Sequence, residues 1–319
     1  MTVACWICSQ PTVSKIVRLR SQKEANLQIC LECNFEFFDH DNIFLLEQNQ
    51  LDKTRLESAG LDIPTQEKDF INGYNQSKTY MNEYISKEDI GENILEIGCS
   101  WGYFLKHLKE FGCIPYGVEI NSIRSNFVQF ELNILCYENL DKLINLGIKF
   151  KKVFSFYCLE YIKDPIDYFQ KILSLLQKGG EIIFITPNVQ DTLKDVWQNK
   201  AYRDFFYDEC AIAYYSKQSI EILVAKLKAN NSLIKSSISV KQGYSIFNHL
   251  YWNFNQRPVK GNSLVGGDDI LNNLSDDIDK SSEVGQKFIE FLTAIDRQYK
   301  TLIEKYDYGN QIIIKINNK

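Results

Sequence analysis

Residues 94–105 read ILEIGCSWGYFL, and this stretch constrains the fold more than any other. A short apolar run holds the acid Glu96, the chain turns on Gly98 and Gly102, and a helical pattern follows. Glycine has no side chain, so a ligand can approach bare backbone at such a turn. The helix N-terminus beyond it presents unpaired N–H groups to a polar or anionic ligand.

From there strand and helix patterns alternate. Helices are expected over about 102–111, 121–131, 139–146 and 165–176, and strands over 93–97, 114–118, 133–136, 152–157 and 181–186. A Gly179-Gly180 turn separates the last helix from the last strand. Such alternation implies a parallel sheet with right-handed crossovers. Further on, a helix is expected over 216–228 with Ser216 as its N-cap, then a strand over 233–240 and another over 311–316. Between the last two, Val284, Phe288, Phe291, Ile295, Tyr299 and Leu302 fall on one helical face. Upstream, 66–86 reads as helix, 41–60 as helix or connector, and 60–64 as a break. The stretch 256–282 is rich in Gly, Asn, Asp and Ser and reads as a loop.

Four of the nine cysteines lie in the first 33 residues, as Cys5-x2-Cys8 and Cys30-x2-Cys33 with 21 residues between the pairs. Each pair can wrap two thiolates around one ion, and the intervening residues form a hairpin in the manner of a zinc ribbon. Four sulfur ligands suit tetrahedral Zn²⁺, and a full thiolate shell leaves no open position, so the metal is expected to be structural. It would staple a module too small to fold on its own core.

The N-terminus lacks a charged segment followed by an apolar one, and no apolar run is long enough to span a bilayer. With nine thiols, this points to a reducing, cytoplasmic setting. A net charge of −5, with six basic against eight acidic residues in positions 1–60, speaks against nucleic acid as partner.

A dinucleotide loop wants G-x-G-x-x-G, and this chain breaks that pattern with Ser100 and Tyr103. The order E-x-G-x-S-x-G instead resembles motif I of the class I S-adenosylmethionine-dependent methyltransferases. Glu119, ending the second strand in YGVEIN, stands where a carboxylate can accept ribose hydroxyls. The segment VFSFYCLEYIKDPIDYFQKILSLLQKGGEIIFITPN resembles that family's fourth strand, post-strand motif, GG turn and fifth strand. The resemblance covers about residues 90–190. It implies a Rossmann-like α/β core that binds the cofactor S-adenosylmethionine through Glu96, Gly98, Cys99, Ser100, Gly102, Glu119, Ile120 and Asn139.

A zinc module ahead of such a core resembles bacterial sugar methyltransferases. Their "YHEH-x-SYFS" segment is approximated by YDECAIAYYSKQSI, with Cys210 in place of the second His and Glu209 as the acid. The string QGYSIFNHLYWNF resembles a segment of methyltransferases that act on glycans, and it offers His249 as a base or substrate contact. Tyr161 stands where many relatives carry His. The expected division is a zinc-ribbon-like module (1–40), a helical connector (41–88), the cofactor-binding core (89–240) and an α+β C-terminal substrate or cap region (241–319). The expected reaction is methyl transfer to a small sugar or glycan precursor, on oxygen or carbon, with His249 and Tyr161 at the reacting atoms. RNA methylation and a non-catalytic partner role are the alternatives.

Overall fold

The computed structural model describes residues 3–38, 66–231, 233–258 and 278–318. The expected helix or connector over 41–60, the break at 60–64 and most of the 256–282 loop lie outside the described residues.

The elements run β1 (Thr12–Arg18), β2 (Glu24–Cys30), β3 (Glu36–Phe38), α1 (Gln66–Tyr84), β4 (Asn93–Ile97), α2 (Tyr103–Phe111), β5 (Ile114–Val118), α3 (Ser122–Phe130), β6 (Leu135–Tyr137), α4 (Leu140–Leu146) and β7 (Phe150–Phe156). They continue α5 (Pro165–Leu175), β8 (Leu176–Pro187), α6 (Lys200–Phe206), β9 (Ala213–Tyr214), α7 (Lys217–Asn230), β10 (Ile234–Lys241), α8 (Ile246–Asn255), α9 (Glu283–Lys305) and β11 (Gln311–Asn318).

The main sheet has seven strands in the order β10-β11-β8-β7-β4-β5-β6. The pairs β4–β5, β4–β7, β5–β6 and β7–β8 are parallel. β11 runs antiparallel to both its neighbours, β10 and β8. This is a Rossmann-like sheet with one reversed strand. Alternation along the strands buries both faces: Leu95, Val153, Ile182, Phe184 and Ile312 join one cluster, while Ile94, Phe154, Ile183, Ile185 and Ile313 join the other. Chain order reverses at β4, whose neighbours β5 and β7 are reached in opposite directions, and open α/β sheets bind ligands at the carboxyl ends of strands at that point.

The cysteine-rich strands form a second sheet, β1-β2-β3-β9. Its last member comes from beyond the main parallel strands, with Glu36 opposite Tyr214 and Phe37 opposite Ala213. Phe35 packs on Tyr215 at 5.0 Å between ring centres. The Ser216 hydroxyl donates to the Cys33 carbonyl at 2.6 Å. Ser216 also caps α7 as expected, its oxygen accepting from Ser219 N–H. The N-terminal strands are therefore joined to the core through the segment 213–218, and also through residues 205–212, where Arg20 N–H donates to the Tyr207 carbonyl and Phe38 N–H to the Ile212 carbonyl.

Two local expectations are corrected. The Gly179-Gly180 turn lies inside β8: Phe150 pairs with Leu176 and Lys152 with Glu181, so the glycines form an irregularity in a continuing strand. The expected apolar face of α9 is mostly in water, with Val284 79%, Phe288 49%, Phe291 57% and Leu302 54% exposed. Of that face Tyr299 does meet its neighbours, bonding His249, and the contact is completed by Asp296, which accepts from Ile246 N–H at 2.8 Å, and by Ile303. An i, i+3, i+7 stripe that includes a polar residue carries the contact, which hydrophobic spacing alone does not reveal.

Candidate active site

Glu96 sits near the end of β4, and the glycine loop follows it over the edge of the sheet. Gly98 N–H and Cys99 N–H both donate to the Val118 carbonyl, at 2.7 and 3.1 Å, which pins the loop to β5. Gly98 has φ +74°, and a Cβ there would stand 1.9 Å from Cys158 Sγ. Gly102 has φ +76° and ends the loop at the start of α2. Both conformations favour glycine. Ser100 shares the left-handed region, at φ 50°.

Glu119 holds the same loop from the next strand. Its Oε2 accepts from Ser100 N–H at 2.9 Å and its Oε1 from Asn121 N–H at 2.8 Å. Burial raises its pKa, and these N–H donors pull it back. Each carboxylate oxygen retains a lone pair for a ligand hydroxyl. Glu96 differs. It is buried, its Oε2 has no hydrogen-bond partner, and burial pushes its pKa well above the carboxylate range. A buried carboxyl oxygen left empty is costly unless something fills it.

The other expected cofactor positions are distributed unevenly. The Cys99 side chain turns under the loop, with its Sγ 3.7 Å from Cys136 Sγ, so only its backbone faces outward. Ile120 is 71% exposed beside the Glu119 carboxylate, a broad apolar surface at the crevice rim. Asn139 is exposed and caps α4, its oxygen accepting from Lys142 N–H at 3.1 Å. Trp101 packs edge-on against Phe127, with the Arg124 guanidinium over its ring.

Across the crevice, β7 is followed by Tyr157, whose φ of 56° is unusual for a bulky residue and typical of functional sites. Its phenol oxygen accepts from the Gln311 amide at 2.6 Å. Glu160 is buried and accepts from the Thr186 hydroxyl at 3.3 Å. Tyr161 is half-buried against the cluster that holds Tyr207 and Tyr214.

His249 is 1% exposed on α8, with Nδ1 bonded to the Tyr299 hydroxyl. Trp197 Nε1–H donates to the same phenol oxygen at 3.3 Å. Burial lowers the His249 pKa to about 4, so the ring is neutral near pH 7. Asp191, which the motifs did not single out, lies just past β8 and is 1% exposed. Its Oδ1 accepts from Leu193 and Lys194 N–H, and Tyr202 O–H donates to its Oδ2 at 3.3 Å. Burial raises its pKa to about 6. The signal available in sequence was an acid three residues beyond TPN at a strand end.

The four N-terminal sulfurs converge, all within 4.8 Å of one another. Cys5–Cys33 are 3.6 Å apart and Cys8–Cys30 3.4 Å, close to the ~3.8 Å edge of a tetrahedron with Zn–S bonds of ~2.3 Å. The donor set fits a structural Zn²⁺.

Comparison with known proteins adds a likeness at the level of one domain. Residues 73–229 match a family model described as a methyltransferase domain. The chain carries a methyltransferase domain. It is similar to a malonyl-[acyl-carrier protein] O-methyltransferase of Calditerrivibrio nitroreducens, 31% identical over 105 residues, which are 33% of this chain and 42% of that one. The chain thus spans less than half the length of that relative. Among solved structures, a SAM-dependent methyltransferase from Archaeoglobus fulgidus is similar with TM-score 0.49 and 17% identity, covering 79% of this chain and 97% of that one. The plantazolicin methyltransferase BpumL is similar with TM-score 0.45 and 13% identity, covering 85% and 90%. The methyltransferase match begins inside α1 and ends inside α7, so it brackets β4 to β9 and contains Glu96, Glu119, Glu160 and Asp191. No helix among the described residues of this chain is long and apolar enough to cross a membrane.

Proposed function

We propose that this methyltransferase moves a methyl group from S-adenosylmethionine to a sugar or glycan-precursor acceptor. The observation that carries the donor half is Glu96, a buried carboxyl whose Oε2 lacks a partner at the foot of the glycine loop. That empty acceptor suits the ammonium of an amino-acid moiety. Gly98, the Cys99 backbone, Ser100 and Gly102 would cradle the ligand, Glu119 would take the ribose hydroxyls, and Ile120 and Asn139 would flank the base. The cofactor, when bound, supplies an electrophilic methyl carbon on a sulfonium.

The chain's own residues then have three tasks. They hold an acceptor atom in line behind that carbon. They exclude water, for which the aromatic pair Tyr202 and Trp252, with ring centres 5.1 Å apart, is suited. They remove a proton if the acceptor is a hydroxyl. Tyr161 and His249 are the proposed contacts. With a pKa of about 4, His249 contributes as a neutral hydrogen-bonding ring more than as a strong base. The tyrosine hydroxyls at this edge of the sheet favour a polyol acceptor, and the acidic N-terminal region disfavours RNA. The zinc would act in folding only, by joining the two ends of the β1–β2 hairpin. A reducing, cytoplasmic location is part of the same reading.

The test is transfer of label from S-adenosylmethionine, screened over nucleotide-sugars, glycan precursors, a malonyl-thioester carrier protein and RNA. Tyr161→Phe and His249→Ala are run beside the wild type. Labelled sugar is the expected product. Label in RNA or in the thioester alone overturns the acceptor half, and no binding of donor or demethylated product overturns the whole.

A further inference from the structure

Because β11 runs against its neighbours, its first residue arrives at the carboxyl edge of the sheet, where the parallel strands end. Gln311 stands there opposite Pro187 of β8. Its amide N–H donates to the Tyr157 phenol oxygen at 2.6 Å. Gly243 leaves room for that amide, since a Cβ at 243 would stand 2.9 Å from Gln311 Nε2. The Tyr157 phenol also hydrogen-bonds the Tyr80 phenol of α1, whose ring stacks on Phe156 with centres 4.3 Å apart. An amide N–H can only donate, so the Tyr157 proton is left for Tyr80. The bonds therefore run from Gln311 to Tyr157 to Tyr80.

Tyr157 also lies against the glycine loop. Ser155 on β7 is level with Ile97 on β4, so Tyr157 reaches two residues past that level, beside the loop. A Cβ added at Gly98 would run into the sulfur of the next residue, Cys158. From the other flank, Tyr157 N–H donates to the Ile185 carbonyl at 2.8 Å, which fixes the left-handed backbone. Such backbone at a bulky residue costs free energy and persists where its surroundings hold it. Tyr157, Tyr80 and Gln311 are each only half-buried, so a ligand in the crevice can meet this edge. Burial and the neighbouring phenols push the Tyr157 pKa well above the usual phenol value, so the group is a neutral hydroxyl.

We infer that Tyr157 belongs to the methyl-transfer centre, with its phenol oxygen facing the methyl carbon of the donor and Gln311 as the positioning residue that holds it there. The inference deepens the donor half of the reading above and rests on it. Gln311 occupies one lone pair and Tyr80 takes the proton, which leaves one lone pair for the crevice. A methyl group on a sulfonium carries positive charge on its hydrogens, and an oxygen lone pair attracts them through weak C–H···O contacts. As the acceptor's lone pair bonds to that carbon, the C–S bonding pair returns to sulfur. An oxygen already fixed in place needs no reorganisation during that exchange. Tyr157 keeps its proton throughout.

The experiment compares two ligands by calorimetry on the full zinc-loaded chain. Sinefungin carries an ammonium where the donor carries its methyl group, and S-adenosylhomocysteine carries nothing there. Tyr157→Phe is expected to weaken sinefungin about ten-fold while S-adenosylhomocysteine affinity stays within about two-fold. Gln311→Leu is expected to weaken sinefungin about three-fold. Tyr157→Phe/Gln311→Leu should be no worse than Tyr157→Phe alone, because Gln311 acts only through the phenol. An unchanged ratio of the two affinities in Tyr157→Phe overturns the inference. So does parallel loss of both ligands with a lowered unfolding midpoint, which marks a purely structural tyrosine. Additive losses in the double variant overturn the positioning role of Gln311. Wild-type protein that binds neither ligand removes the donor reading itself, and the inference with it.

Discussion

Gly98→Ala isolates the contact that shapes the glycine loop. Two costs are legible in the structure. Alanine at φ +74° enters the left-handed region, worth roughly 1–2 kcal/mol. Its Cβ would also stand 1.9 Å from Cys158 Sγ, so sulfur or loop must move, an overpacking cost of roughly 1–3 kcal/mol. The single variant should lose about 2–5 kcal/mol of stability by urea unfolding. The two costs separate in Gly98→Ala/Cys158→Ala. Removing Sγ leaves Cys158 Cβ 3.5 Å from the new methyl, an ordinary contact, so the clash vanishes and the backbone cost stays. The double variant should therefore recover all but about 1–2 kcal/mol, after correction for Cys158→Ala alone. S-adenosylhomocysteine affinity should follow the same order. A double variant no better than Gly98→Ala would refute the steric argument, and an unaffected Gly98→Ala would refute the loop geometry itself.

Three further outcomes are expected. Glu119→Gln replaces one of two acceptors for the Ser100 and Asn121 N–H groups with an amide donor, and calorimetry should show S-adenosylhomocysteine affinity falling at least about ten-fold. Chelation should strip zinc from Cys5, Cys8, Cys30 and Cys33 and expose the buried Phe35 and Phe37, read as zinc release coincident with new dye binding; a fold indifferent to chelation contradicts a structural metal. His249 has a folded-state pKa of about 4 against 6.5 unfolded, so acid favours the unfolded chain. Its contribution is fully present above pH 6.5 and is lost as pH falls through 4, by about 3 kcal/mol, and His249→Gln should flatten that part of the stability profile.

The parallel core was legible because each β-α unit carries local signals. Apolar runs mark β4, β5, β7 and β8, and Ser216 announces the helix it caps. The glycine loop was legible because left-handed backbone demands a residue type that stands out in one dimension. Asp191 and the Tyr157–Gln311 bond were not. An acid or an amide reads the same in sequence whether it ends in water or under another strand, and these two are made unusual by packing from positions distant in the chain.

Sequence alone determined the four-sulfur cluster, the alternating core and the acid–glycine loop, because spacing within a few residues fixes each of them. Tertiary structure alone decided that β11 inserts between β10 and β8, that the face of α9 stays in water, and that Gln311 meets Tyr157. Those outcomes depend on which distant segments compete for the same sheet edge and the same buried volume. Burial then sets the chemistry, since it leaves Glu96 Oε2 without a partner and holds His249 neutral.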